Sequence, residues 1–306
     1  MCIYYMKILY GIYPTNYIDV TNICFPNITS NNFYIIPIGD SNRANIFGDP
    51  LCGILKKIII LNNDDITEYD YNTEIKINIK NNIIQNITQL NINTNEKIKN
   101  IHSKLRINYG RLNQELPEQK MVVRYLTGNE KVLEIGGNIG RNSLVIASIL
   151  KNNSNFVTLE SDVNIANQLT QNRELNHFNF HIENSALSNR KLIQRGWDTI
   201  PSETLQEGFT FVNTITLDNL QTKYNIVFDT LVLDCEGAFY YILMDMPEIL
   251  NNVNLIIMEN DYHDISKKHY IDEILIKNNF FRDYLEGGGW GPCKNNFFEV
   301  WKKSVV

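Results

Sequence analysis

The chain has no close cysteine pair, no basic excess and no long apolar run, and each absence removes a class of function. Its five cysteines, Cys2, Cys24, Cys52, Cys235 and Cys293, are scattered. A cysteine zinc site or a disulfide framework needs closer or more regular spacing, so a reducing compartment is the simplest reading. The net charge of −6 has the wrong sign for a surface that grips phosphates through Lys and Arg. A small or neutral partner is expected, and no nucleic acid. Nowhere do about 18 apolar residues follow one another without charge, as a bilayer span requires, so no membrane partner is expected either. Met1 to Pro14 lacks a basic leader and a small-residue cleavage pattern, so the expected location is cytoplasmic and not secreted.

What is present is a globular composition. A length of 306 residues with 43% hydrophobic content suits one large domain, or a domain with a smaller module. The heavy use of Asn, Ile and Lys points to an AT-rich genome. In so Asn-rich a chain, the glycosylation patterns Asn27-Ile28-Thr29 and Asn86-Ile87-Thr88 are expected by chance. Residues 1–80 alternate short Ile- and Tyr-rich runs, such as Tyr34-Ile35-Ile36-Pro37 and Ile58-Ile59-Ile60-Leu61, with turn-forming residues, which predicts a small β-rich module. Residues 81–100 are polar with isolated Ile, read as a linker in the form of a weak helix or irregular connection. The second domain then runs over 101–306.

Pro117 predicts a helix start, with Met121, Val122, Tyr125 and Leu126 on one side and Gly128 as its end. From Lys131 the order is β-α-β-α. Strands are expected at 132–135, 156–159, 178–182, 229–233 and 255–258, and helices at 139–150, 163–174, 238–244 and 266–277. The strands are nearly continuous apolar runs, as in parallel sheets covered on both faces. Two more strands, at 280–285 and 297–302, flank a glycine-rich loop. The fold class is therefore α/β: a doubly wound, mostly parallel, seven-stranded sheet with an antiparallel C-terminal edge.

Glu134-Ile135-Gly136-Gly137-Asn138-Ile139-Gly140 closes a strand and opens a helix, where a glycine turn lets a ligand approach the backbone. The spacing is not that of the dinucleotide fingerprint G-x-G-x-x-G, and Glu134 would repel a pyrophosphate. It would instead attract the ammonium of a methionine moiety. Glu160, at the end of the next strand, is placed to accept hydrogen bonds from both hydroxyls of a ribose. Ser185 and Ala186, after the third strand, are candidates for an adenine edge, through a backbone amide and a small side chain. Together Glu134, Gly136, Gly137, Asn138, Gly140, Glu160, Ser185, Ala186 and Asp234 form an expected S-adenosylmethionine site.

The fourth strand ends Asp234-Cys235-Glu236-Gly237, which should face the reacting centre, since ligands of open α/β sheets lie outside the carboxyl ends of the strands. Transfer to a hydroxyl needs a base, worth about 10²–10⁴-fold. Asp234 is the first candidate, Glu236 the second and His263 the third. Glu259, Asp261 and Trp290 are candidate acceptor contacts, Trp290 as a stacking platform on a flap or, equally, as a residue packed on the sheet. The acidic groups with His263 could also hold a divalent cation, but carboxylates at a sheet edge equally suit polar recognition, and no metal is expected.

Over residues of about 115–302 the chain resembles the FkbM-type methyltransferases. The resemblance rests on Gly136 to Gly140 with Asn138, Glu160, Thr216-Leu217-Asp218 and Asp234-Cys235-Glu236-Gly237. It implies methyl transfer from S-adenosylmethionine, usually to oxygen on sugars or other small natural products. Val232 stands where many members have Lys. Glu115-Leu116-Pro117-Glu118-Gln119, Trp197-Asp198-Thr199 and Asn260-Asp261-Tyr262-His263 resemble the versions in giant viruses that infect amoebae, for which the location would be host cytoplasm and the product a modified glycan. Gly39 to Pro50 looks like a module found in front of such viral enzymes. There Arg43 and Asp49 could bind a glycan or partner, or simply stabilise a turn.

Other functions are protein methylation, nucleic-acid methylation and a non-catalytic binding module. A base methylase would show a proline-proline-aromatic strand end, and a cap-ribose enzyme a lysine-aspartate-lysine-glutamate set. Neither is here.

Overall fold

The computed structural model describes residues 6–25, 33–63, 65–79 and 82–304. The pattern at Asn27-Ile28-Thr29 and Cys2 lie outside them. The chain divides into two compact units, Met1–Asn95 and Glu96–Val306.

The first unit holds two antiparallel sheets. One orders Asn16–Asp19, Met6–Ile12, Lys57–Asn62 and Asp65–Tyr69, and the other Phe33–Ile36, Ile75–Asn78 and Ile84–Asn86. Its Ile-rich runs supply a core of Ile8, Tyr10, Ile36, Ile58, Ile60, Ile75 and Ile77. The run expected as turns also contains a helix, Asp40–Phe47. Arg43 on that helix is fully buried and donates to the Pro37 and Thr73 carbonyls. Asp49 pairs at 2.8 Å with buried Lys56, which also meets Asp40. These two residues therefore hold the module together, and Arg43 has no surface to offer a glycan. The expected linker is also structured: Ile84–Asn86 completes a sheet and Ile87–His102 is a helix. Its isolated Ile residues fall at helical spacing, with Ile98 buried and Ile101 packed on the core. Asn86 accepts from the Gln89 amide at the start of this helix.

The second unit is a seven-stranded sheet. Its strands are β1 (Val132–Ile135), β2 (Phe156–Leu159), β3 (His181–Glu183), β4 (Thr230–Leu233), β5 (Leu255–Glu259), β6 (Phe280–Glu286) and β7 (Phe298–Lys303). The order is β3-β2-β1-β4-β5-β7-β6. The first five pair in parallel, and β7 runs antiparallel to both neighbours. This is a Rossmann-like, doubly wound sheet. The helices are α1 (Leu116–Tyr125), α2 (Arg141–Ile149), α3 (Val163–Leu175), α4 (Leu217–Tyr224), α5 (Ala238–Asp245) and α6 (Ile265–Lys277). Every residue of β1, β2 and β4 is buried, which is why these strands read as unbroken apolar runs.

The C-terminal hairpin forms the antiparallel edge as expected, with one detail the sequence did not show: β7 inserts between β5 and β6, so β6 is the outermost strand. The buried carboxyl of Glu299 explains part of this placement, since it meets Lys268 and Arg282 at 2.9 Å each and accepts from the Trp301 indole. Such a charge needs its partners on both sides.

Between β3 and α4 lies an insertion the sequence pattern did not reveal. Leu192–Arg195, Asp198–Pro201 and Thr210–Val212 form a small antiparallel sheet, and Ala186–Leu187 pairs with Thr214–Ile215.

Candidate active site

The strand order reverses direction between β1 and β4, and the crevice outside the carboxyl ends at such a switch point is where open α/β sheets bind ligands. A cavity of about 320 Å³ lies there. Its lining includes Gly136 and Asn138 after β1, Glu160 and Ser161 after β2, Ser185 and Ala186 after β3, and Asp234 and Glu236 after β4.

The glycine turn is built by the protein's own close contacts. A Cβ on Gly136 would lie 1.6 Å from the Asp234 carbonyl oxygen, and φ there is +92°. A Cβ on Gly137 would meet Thr158 Oγ1 at 2.2 Å, and one on Gly140 would meet Leu169 at 2.3 Å. Of the three glycines only Gly136 lines the cavity; Gly137 and Gly140 let α3 and β2 pack against the turn. Asn138 takes a left-handed φ of 47°, and its amide donates to Glu160 Oε2 at 2.9 Å.

Glu160 is buried, and its other oxygen accepts from the Asp162 amide at 2.8 Å. Burial raises its pKa despite these bonds. A carboxylate has about four lone-pair sites, and the Asn138, Asp162 and Ser161 amides already meet this one, so one site remains for a ligand hydroxyl. Glu134 is placed otherwise than expected. It is buried beneath the turn, accepts from the Ser143 hydroxyl of α2, and is not among the cavity-lining residues. Burial pushes its pKa up to about 7.

The expected backbone donors for an adenine are committed elsewhere: the Ser185 amide bonds the Glu183 carbonyl and the Ala186 amide the Asn213 carbonyl. What this end offers instead is an apolar slot of Leu159, Ala186, Leu187, Leu192 and Ile242. The insertion supplies Gln194, Trp197 and Thr199 to the same wall, and Gln194 accepts from the Ser161 hydroxyl at 3.0 Å.

Opposite lies a group of carboxyls. Glu115 and Glu118 of the α1 segment join Asp234, Glu236 and Glu259 in the lining. Burial, then the charges of Glu115, Glu118, Asp261 and Glu236, raises the Asp234 pKa well above its usual range. Burial and a hydrogen bond with Glu118 push Glu259 up to about 11. Burial and a bond with Asp261 push Glu236 to about 7. Asp261 is buried behind this loop, where it accepts from the Glu236 and Gly237 amides. It holds the loop, in which Glu236 and Gly237 both have positive φ, and does not line the cavity.

His263 and Trp290 are not brought into the lining. Both are exposed, with their rings stacked on each other at 4.4 Å between centroids. The glycine-rich loop carrying Trp290 rests on aromatics: a Cβ on Gly289 would fall 2.3 Å from the Phe297 ring. The sequence reading missed Glu115 and Glu118 as site residues because they precede the first strand. Their signal was the wording Glu115 to Gln119, two acids beside a helix-starting proline.

No protein-family model matches the chain, and no curated protein matches its sequence. Solved structures do. An O-methyltransferase from Bacillus cereus in complex with SAH is 16% identical, over 69% of this chain and 91% of that one, with a TM-score of 0.40. The ribosomal protein L11 methylase of Lactobacillus delbrueckii subsp. bulgaricus is 12% identical, over 65% and 82%, at 0.41. A methyltransferase from Pyrococcus furiosus is 13% identical, over 72% and 98%, at 0.38.

Proposed function

We propose that the chain is an S-adenosylmethionine-dependent methyltransferase acting on a hydroxyl of a sugar or glycan-type small molecule. The observation that carries this reading is Glu160. It is a buried carboxylate at the tip of β2, fixed by the Asn138, Asp162 and Ser161 amides, with acceptor capacity left beside a glycine turn at the switch point. A carboxylate so placed fits a ribose, and the slot of Leu159, Leu187, Leu192 and Ile242 fits a flat base. A pyrophosphate fits poorly, because among the described residues no Lys, Arg or His lines the cavity. Of the FkbM-like motifs, Gly136, Asn138, Glu160, Asp234, Cys235 and Glu236 line this cavity and Thr216-Leu217-Asp218 does not; the lining part supports oxygen methylation of sugars within the reading.

When bound, the cofactor supplies an electrophilic methyl group on a sulfonium. Glu160 and Asn138 orient the nucleoside, and the carboxyls at the β4 tip meet the positive end. Burial and its acidic neighbours favour the protonated form of Asp234, and a cation beside it would favour the ionised form. It then accepts the hydroxyl proton of the acceptor.

The reading predicts that folded protein binds S-adenosylmethionine in calorimetry, and that Glu160→Ala weakens binding at least about tenfold, the loss of a hydrogen bond to a charged group. No binding to protein with a normal melting transition sinks the proposal.

A further inference from the structure

The acceptor side of the cavity holds more acid than the cofactor can answer. Its lining contains Glu115, Glu118, Asp234, Glu236 and Glu259 and, among the described residues, no basic side chain. Glu115 is paired with Arg141, which leaves four. Glu118 is only 7% exposed, and its Oε2 has no hydrogen-bond partner. Unpaired buried carboxylates are costly, and burial with a neighbouring acid raises Glu259, beside Glu118, and Glu236, beside Asp261, so these two keep protons when no cation is near. The cofactor, with a sulfonium, an ammonium and a carboxylate, adds one net positive charge. Surplus acid remains, and Glu118 keeps an open acceptor.

Taking the methyltransferase reading as its premise, we infer that the acceptor is itself cationic: an amine-bearing sugar whose ammonium is met by Glu118 and Glu259. An ammonium has three donors and no acceptor, which suits carboxyls that become full acceptors once they give up their protons. A phosphorylated acceptor, such as a nucleotide sugar, brings no positive charge to draw those protons off. Among the described residues, no three of His, Cys, Asp and Glu are arranged to hold a metal ion. An ammonium entering beside these carboxyls displaces their protons, so acceptor binding releases protons to solvent.

The test compares two acceptors that differ only in this charge. Glucosamine oligomers and the same oligomers fully N-acetylated are incubated with full-length protein and methyl-labelled S-adenosylmethionine, with and without chelator, alongside calorimetry of cofactor binding. The amine oligomers are expected to take at least tenfold more label. Glu118→Gln is expected to remove most of that preference while the cofactor Kd stays within threefold, and Glu259→Gln, tested separately, to act in the same direction. Equal labelling, preference for the acetylated form, labelling of neither, or a large loss of cofactor affinity in Glu118→Gln overturns the inference. So does labelling abolished by chelator and restored by magnesium, which would assign the carboxyls to a metal. Failure to bind cofactor at all overturns the parent reading instead, and this one with it.

Discussion

At the scale of single residues, the site is governed by where carboxyls are forced to keep their protons. Asp234 illustrates it. Its pKa is raised first by burial and then by four neighbouring acids, so as a base it works only when a cation or a higher pH removes its proton. The rate of methyl transfer should therefore rise with pH through the raised Asp234 pKa, and Asp234→Asn should remove that rise. The same substitution should lower turnover about 10²–10⁴-fold and leave the calorimetric Kd for cofactor within threefold. Matched losses in both would make Asp234 a binding or folding residue. Much of this was legible in the chain: Asp234, Glu160 and Glu259 reach the cavity because a strand end fixes what its last residues face, and Glu236 reaches it through the tight turn that Asp261 holds. His263, Trp290 and Asp261 do not, because they sit in loops, where no period dictates direction. The stacking of His263 on Trp290 joins residues 27 positions apart, which no local pattern encodes.

At the scale of elements, the turn after β1 and the tip of β4 are one interlocked piece. The Asp234 amide donates to the Ile135 carbonyl at 3.1 Å, and the Asp234 carbonyl occupies the space a side chain on Gly136 would need. The glycine is thus demanded by the neighbouring strand as much as by any ligand. Gly136→Ala should destabilise the protein by roughly 3 kcal/mol or more, combining a forbidden contact with positive φ. Gly196→Ala shares the positive φ of +58° but meets nothing within 4 Å, so it should cost only about 1–2 kcal/mol. Urea denaturation of the two variants checks this, and equal costs would refute the interlock. The parallel strands and their helices were legible because burial on both faces leaves continuous apolar runs. The insertion at 192–212 was not, since its strands are short and half exposed. The place of β7 between β5 and β6 was hidden too, because register with β5 is a long-range choice.

At the scale of the whole molecule, the acids gathered for the site burden the fold, and the burden has a sign. Glu134 titrates at about 7 in the folded chain, against an ordinary value of 4.5. Between those values the folded state holds a proton that the unfolded state has released, so stability falls as pH rises and levels off above pH 7. The Glu134 share of that fall is on the order of 3 kcal/mol. Glu236 and Glu259 act in the same direction. The Thr158 hydroxyl can itself donate to the Glu134 carboxylate, but Asn142 Oδ1 nearby is a buried acceptor without a partner. A protonated Glu134 can donate to it, and an ionised one cannot. A glutamine at 134 would supply the missing donor at every pH and retain an acceptor for the Ser143 hydroxyl. Glu134→Gln should therefore flatten the decline in stability between pH 5 and 8 and raise the melting temperature at pH 8, with little change at pH 5. Melting curves across that range decide the matter: parallel curves for the two proteins would mean that Glu134 is ionised throughout and that the cost lies in the cavity carboxyls alone. If saturating cofactor flattens the curve of the unaltered protein without removing the difference made by Glu134→Gln, the two sources separate. The cation relieves the acids that line the cavity, and Glu134, beneath the turn, stays out of its reach.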